Sequence, residues 1–256
     1  MNRFLDIGTA SVLITGGGSG IGLGLAARLL AQGANVVVTG RNPEKLDSAA
    51  RDLPGLRTWS GDLADPQSRE ALAAHLLEAL PELDAVVNNA GIQRRVGLAA
   101  DHAPWHERQA EIDILLAAPI HLNALLIPRL LARPRPGLIV NVTSGGAYVP
   151  QPFAPVYSAC KAALHSYTVN LRHALRNTPC RVAELIPPAV QTGLGGSGHG
   201  APLDLYCDTV FPQLFSGTAD EVGYGATASD GFIAPTSLYR EMFEQMQSRF
   251  PVESYR

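Results

Sequence analysis

Tyr157-Ser158-Ala159-Cys160-Lys161 is the single Tyr-x-x-x-Lys in the chain. Four residues apart on a helix, Tyr157 and Lys161 share one face. A free phenol, with a pKa of about 10, is a poor acid–base catalyst near neutrality. A neighbouring ammonium favours the phenolate and lowers that value. Ser144 lies just beyond a β-branched run, and its hydroxyl can hold a carbonyl or alcohol oxygen against Tyr157. Tyr157 would then donate the proton in reduction or accept it in oxidation. Among 20 basic residues only Lys45 and Lys161 are lysines. Lys45, beside Glu44 and Asp47, reads as a solvated helix residue. Lys161 stands where a bulky guanidinium would not replace a compact ammonium.

A second constellation is Thr15-Gly16-Gly17-Gly18-Ser19-Gly20-Ile21-Gly22. It falls between a strand pattern and a helix pattern, where backbone N–H groups and the helix dipole bind anions. Glycine there lets the chain turn sharply and a pyrophosphate approach the backbone. No Lys follows, which excludes a Walker-type loop, and the literal G-x-G-x-x-G spacing is absent. The pattern is T-G-x-x-x-G-x-G. A dinucleotide fold usually carries an acid at the end of its second strand for the ribose 2′-hydroxyl. Here that region reads Thr39-Gly40-Arg41-Asn42. The missing acid and the Arg suit a 2′-phosphate, hence NADP over NAD. A solvated surface Arg41 is the plainer alternative.

These residues need a scaffold, and short β-branched runs alternating with helical patterns supply one. Strands are predicted at Val12–Thr15, Asn35–Thr39, Leu56–Ser60, Asp84–Val87, Leu138–Val142 and Val182–Ile186, with a last one near Val222. Helices are predicted over Gly20–Gln32, from Pro43, from Pro66 behind an Asp65 cap, and from about Pro104 to Ala132. Others span Ala154–Asn177, about Pro202–Phe215 and Ser237–Arg249. The expected fold is α/β: a doubly wound parallel sheet of Rossmann type in one domain, residues 1–256. A Gly-rich segment near 190–201 is expected to be a mobile substrate loop.

The Gly turn, Asn88-Asn89-Ala90-Gly91, Ser144 and Tyr157-x-x-x-Lys161 together resemble the short-chain dehydrogenase/reductase family. The likeness is close over residues of about 8–192 and is greatest to its DltE-type branch, through phrases such as Gly91-Ile92-Gln93-Arg94 and Glu184-Leu185-Ile186-Pro187-Pro188. It implies that Ser144, Tyr157 and Lys161 are catalytic and that Lys161 also binds the nicotinamide ribose. It implies a cofactor site of Thr15, Gly16, Gly18, Ser19, Gly20, Ile21, Gly22, Arg41, Asp62, Leu63, Asn89, Ala90, Gly91, Tyr157, Lys161, Pro187, Val190 and Thr192. It also implies that Asp62 and Leu63 would lie beside the adenine, Asn88, Ala90 and Gly91 along the cofactor ribose and the central strand, and Val190 and Thr192 at the carboxamide. One departure stands out. The family usually carries an Asn, serving a water relay to the Lys, where this chain has Leu115 in Glu111-Ile112-Asp113-Ile114-Leu115-Leu116. Leu cannot hold a water by its side chain. Either a backbone carbonyl holds that water and activity survives, or the protein is a weak or inactive NADP-binding regulator.

Composition narrows the class further. With 256 residues, 46% hydrophobic content and net charge −3, the chain suits one apolar core and offers no basic face for nucleic acid. Cys160, Cys180 and Cys207 follow no disulfide or zinc spacing, and Cys160 reads as a small buried residue. The Leu-rich run Ile112–Leu131 contains Asp113, His121, Asn123 and Arg129, which argues against a membrane span. With no signal peptide read at the N-terminus, a cytoplasmic protein is expected. No metal is expected, His102 and His106 reading as a solvated helix start. Arg94 and Arg95 either meet an acidic substrate group or are simply exposed. Tyr148, Phe153 and Leu194 either wall an apolar pocket or pack in the core. The resemblance implies a small carbonyl or alcohol substrate and a homodimer or homotetramer.

Overall fold

The computed structural model describes residues 5–194, 198–217, 219–232, 241–242 and 244–245. Seven strands form one parallel sheet: β1 Ser11–Ile14, β2 Asn35–Gly40, β3 Arg57–Ser60, β4 Leu83–Asn88, β5 Gly137–Val142, β6 Cys180–Ile186 and β7 Glu221–Gly223. Their order across the sheet is β3-β2-β1-β4-β5-β6-β7. After β3 the chain crosses back over β1 to lay down β4, so the winding reverses between β1 and β4. Ligands of doubly wound sheets bind at that reversal, beyond the carboxyl ends of the strands.

The strands are buried on both faces because helices cover both. Alternation along β1 divides the core: Val12 and Ile14 face Leu25 and Leu29 of α1 (Gly20–Ala31) and Val210 and Phe211 of α7 (Leu203–Phe215). Leu13 faces the opposite layer, with Leu72 and Leu76 of α3 (Pro66–Ala79) and Leu122 and Leu126 of α5 (Ala118–Leu131). Helix α6 (Pro155–Ala174) adds Leu171 to that second layer. The predicted starts hold: Asn42 caps α2 (Pro43–Asp52) by accepting from the Lys45 N–H at 3.0 Å, and Asp65 caps α3 through the Gln67 N–H at 3.0 Å.

Several boundaries shift by one or two residues from expectation, and three differences bear on the site. Strand β1 stops at Ile14, because the Thr15 hydroxyl accepts from the Asn89 and Ala90 N–H groups, each at 3.0 Å. The helix predicted through Asn177 ends at Ala174, where Leu175 leaves helical geometry. The long helix from 104 to 132 is three segments: α4 (Trp105–Ile112), a π-helical turn over Asp113–Ala117, and α5. Periodicity near 3.6 does not reveal a single widened turn.

The stretch Trp105–Leu131 is long and apolar enough to cross a membrane, yet half of its most apolar window is buried in protein. It is a core helix. The Gly-rich loop is closed at its base, where the Gln191 N–H donates to the Ala201 carbonyl at 3.0 Å and the Ala201 N–H to the Ala189 carbonyl at 2.9 Å. Residues 195–197 of that loop, and most of the expected tail helix Ser237–Arg249, fall outside the described residues.

Candidate active site

A cavity of about 1060 Å³ runs along the carboxyl edge of the sheet. It joins the two constellations that lie far apart in sequence. Gly16, Gly18, Ser19, Gly20 and Ile21 line it where β1 feeds α1, and Ser144, Tyr157 and Lys161 line it beyond β5.

The turn is built for its task. Gly16 has φ +65°, and a Cβ there would meet the Ala90 backbone at 2.7 Å. Gly22 lets α1 pack against Asn89, whose amide would lie 2.5 Å from an added Cβ. The Ser19 side chain makes no capping hydrogen bond, so the first-turn N–H groups of α1 have no side-chain partner there. That arrangement suits a diphosphate.

Most of the expected cofactor residues do line this cavity: Gly16, Gly18, Ser19, Gly20, Ile21, Arg41, Asp62, Leu63, Asn89, Ala90, Gly91, Tyr157, Lys161, Pro187, Val190 and Thr192. Thr15 and Gly22 do not. Thr15 instead ties β1 to the end of β4, and the Asn89 amide donates to the Thr15 and Gly16 carbonyls at 3.0 and 3.1 Å. Asn88 is also withdrawn. Its amide donates to Asn123 at 3.0 Å and Asn141 at 2.8 Å, bracing β4 against β5 and α5.

Lys45 is exposed, in keeping with its reading as a solvated residue, and it also lines the cavity together with Arg41 and Asn42. Arg41 stands 3.9 Å from the Asp62 carboxylate, both half exposed. Two cations at the start of α2 make a second place for negative charge. The signal was present in sequence as Arg41-Asn42-Pro43-Glu44-Lys45, a basic residue on either side of a helix cap.

At the catalytic wall, Ser144 caps a short turn (Gly145–Ala147) and accepts from the Gly146 N–H at 3.0 Å. Tyr157 is buried and hydrogen-bonded to Ser144. Burial pushes its phenol up, the bond to Ser144 pulls it down, and Glu111 pushes it up again. The expected net lowering is therefore absent in this state. Burial is the largest of these causes, and the Lys161 ammonium is engaged elsewhere. It donates to the Val142 carbonyl at 2.6 Å and sits 5.7 Å from the Tyr157 ring centre. Burial pulls Lys161 itself down to about 8, against smaller upward effects of Cys160 and Glu184.

Leu115 lies in the π-helical turn, buried in one cluster with Ala154, Tyr157 and Cys160. Cys160 is buried there too, and burial pushes its thiol up to about 11, which suits packing rather than nucleophilic attack. Tyr148 does not line the cavity: its hydroxyl bonds His165 Nδ1 at 2.8 Å and donates to Glu184 at 3.1 Å. Phe153 and Leu194 do line it. Among the described residues no group of three or more His, Cys, Asp or Glu side chains could hold a metal.

A parallel sheet with a reversal point, a glycine turn feeding a helix, and Ser, Tyr and Lys on one wall define a dinucleotide-dependent oxidoreductase site. The family profile described as short chain dehydrogenase matches residues 10–199, and the chain belongs to that family. It is similar to "Uncharacterized oxidoreductase DltE" of Bacillus subtilis, with 46% identity over 72% of this chain and 73% of that one. It is 34% identical to "1-deoxy-11-beta-hydroxypentalenate dehydrogenase" of Streptomyces avermitilis, covering 87% of this chain and 83% of that one. A solved metagenomic short-chain oxidoreductase in complex with NADP superimposes with a TM-score of 0.73 at 26% identity, over 85% of this chain and 98% of that one. The protein is an NAD(P)-dependent oxidoreductase of the short-chain type.

Proposed function

We propose that the enzyme prefers NADP and interconverts a carbonyl and a secondary alcohol. One observation carries the reading: Ser144, Tyr157 and Lys161 occupy one end of the same cavity whose other end holds Arg41 and Lys45. The nicotinamide cofactor supplies the hydride. The α1 N-terminus would hold its diphosphate, and Arg41 and Lys45 a 2′-phosphate. That the metagenomic relative was solved with NADP supports this choice, as the name of the Streptomyces relative supports an alcohol or carbonyl substrate.

In reduction, the Ser144 hydroxyl donates to the substrate oxygen and keeps it beside the Tyr157 phenol. Tyr157, kept protonated by burial, delivers its proton to that oxygen as negative charge develops there. Lys161 holds the strand end through Val142 and presents positive charge behind the phenol. A small-molecule substrate in a cytoplasmic homodimer or homotetramer, with the loop near 190–201 acting as its lid, completes the proposal.

Steady-state rates with NADPH and NADH across a panel of aldehydes and ketones test the reading. Tyr157→Phe should lower kcat by about a hundredfold or more, with a far smaller effect on NADPH affinity. Equal use of NADH, or an unaltered rate in Tyr157→Phe, would overturn it. Leu115 favours one rival, a cofactor-binding regulator that does not turn over. Tight NADPH binding with no oxidation by any member of the panel would select that rival.

A further inference from the structure

Arg94 and Arg95 are adjacent in sequence and differ completely in their surroundings. The Arg94 guanidinium grips Asp101 through two hydrogen bonds of 2.9 and 2.7 Å and reaches Glu107 at 3.3 Å. Its backbone N–H donates to Glu111 at 2.9 Å. Arg94 is therefore committed to holding the segment after β4 against α4. Arg95 points the other way. It lines the cavity, is exposed, and forms no ion pair among the described residues.

What Arg95 does touch is Phe153, two residues before α6, with its guanidinium carbon 4.3 Å from the ring centre. That stacking restrains a long side chain which would otherwise sample many rotamers, and it leaves the edge donors of the fork free. Phe153 thereby holds a cation at the same end of the cavity as Ser144 and Tyr157. Gln93 and Gln151 lie there too, joined at 3.3 Å, and both are neutral.

The distribution of acids points the same way. Only two carboxylates line the cavity among the described residues, Glu44 and Asp62. Both belong to the β2–β3 side, at the Arg41 end. The catalytic end has a positioned guanidinium and no carboxylate to neutralise it. A planar fork in that setting matches a carboxylate in geometry and in charge.

We propose that the substrate is a carbonyl or hydroxy compound bearing a carboxylate, and that Arg95, stacked on Phe153, is the residue that selects it. The inference rests on the oxidoreductase reading above and specifies its substrate class. Arg95 binds and orients, and takes no part in proton transfer.

The test uses pairs of aldehydes equal in length, 4-oxobutanoate against butanal and 6-oxohexanoate against hexanal, with NADPH as reductant. Wild-type protein should favour at least one carboxylate over its neutral partner. Arg95→Gln should lower kcat/KM for that carboxylate by about tenfold, mostly through KM, and leave the neutral aldehyde unchanged. Phe153→Leu should give a smaller loss of the same pattern. No preference in wild type, or equal losses for both members of a pair, would overturn the inference while the oxidoreductase reading stands. If no aldehyde is reduced at all, the oxidoreductase reading fails, and calorimetric titration of the NADP+-loaded protein with hexanoate decides the inference alone. Binding that Arg95→Gln weakens supports it, and no binding to wild type overturns it.

Discussion

The Lys161 ammonium donates a 2.6 Å hydrogen bond to the Val142 carbonyl. The lysine of the Tyr-x-x-x-Lys pair is thereby tied to the end of the strand that delivers Ser144, two residues further on. The same ammonium stands 5.7 Å from the centre of the Tyr157 ring, so one buried cation joins the strand end to the phenol wall.

The burial of that ammonium has a pH consequence. An ordinary lysine keeps its proton to 10.5, and burial brings Lys161 down to about 8. Between those values the unfolded chain binds more protons than the folded one, so this residue makes stability rise with pH across that window. Below it, the buried charge is a constant penalty. Urea titrations of wild type and Lys161→Met should show the variant's relative stability falling as pH rises from 8 to 10.5. A pH-independent difference would place the lysine in a more hydrated setting.

Arg41 and Lys45 flank the α2 cap on the cavity wall. Arg41→Ala and Lys45→Ala should each weaken NADPH by about tenfold, an ordinary value for a lost charge-assisted contact, without changing NADH affinity. Fluorescence titration with both cofactors measures this directly. Parallel losses for NADH would place the two side chains elsewhere than at a 2′-phosphate.

Gly16 combines a φ of +65° with an approach of 2.7 Å between any added Cβ and the Ala90 backbone. Gly16→Ala should cost at least about 1 kcal/mol of stability and abolish tight cofactor binding, since the two nearest atoms, Ala90 Cα and N, are backbone and cannot step aside. Denaturant melts with and without NADPH separate the two effects.

Leu115 packs against Tyr157 and Cys160 with almost no exposure. Leu115→Asn should lower stability by about 1–3 kcal/mol, the cost of a buried amide without partners. It should leave turnover at saturating NADPH unchanged, because a backbone carbonyl can serve a water relay without the amide. A clear rise in kcat would show instead that leucine had weakened the relay.

Much of the scaffold could be read directly. The continuous apolar runs Val12–Ile14 and Val36–Val38, the cap at Asp65 and the glycine turn all act within a few residues, so local pattern carries them. Boundaries slipped where a distant partner intervened. Thr15 left its strand because its hydroxyl serves the end of β4, and the helix around Leu115 widened by one π turn while packing against α6. Neither event leaves a periodic trace.

The candidate site divides in the same way. Ser144, Tyr157, Lys161 and the phosphate turn were identifiable from residue type and spacing, because their chemistry demands those groups in that order. The fate of a charged side chain was not. Lys45 looked solvated and is exposed, but that it also lines the cavity was not legible. Arg94 and Arg95 looked equivalent, yet one is bound by Asp101 and the other stacks on Phe153 with its donors free. Identity sets which interactions a side chain can make. Only the folded chain decides which partners arrive within reach, because charge pairing and burial depend on segments brought together across the sheet.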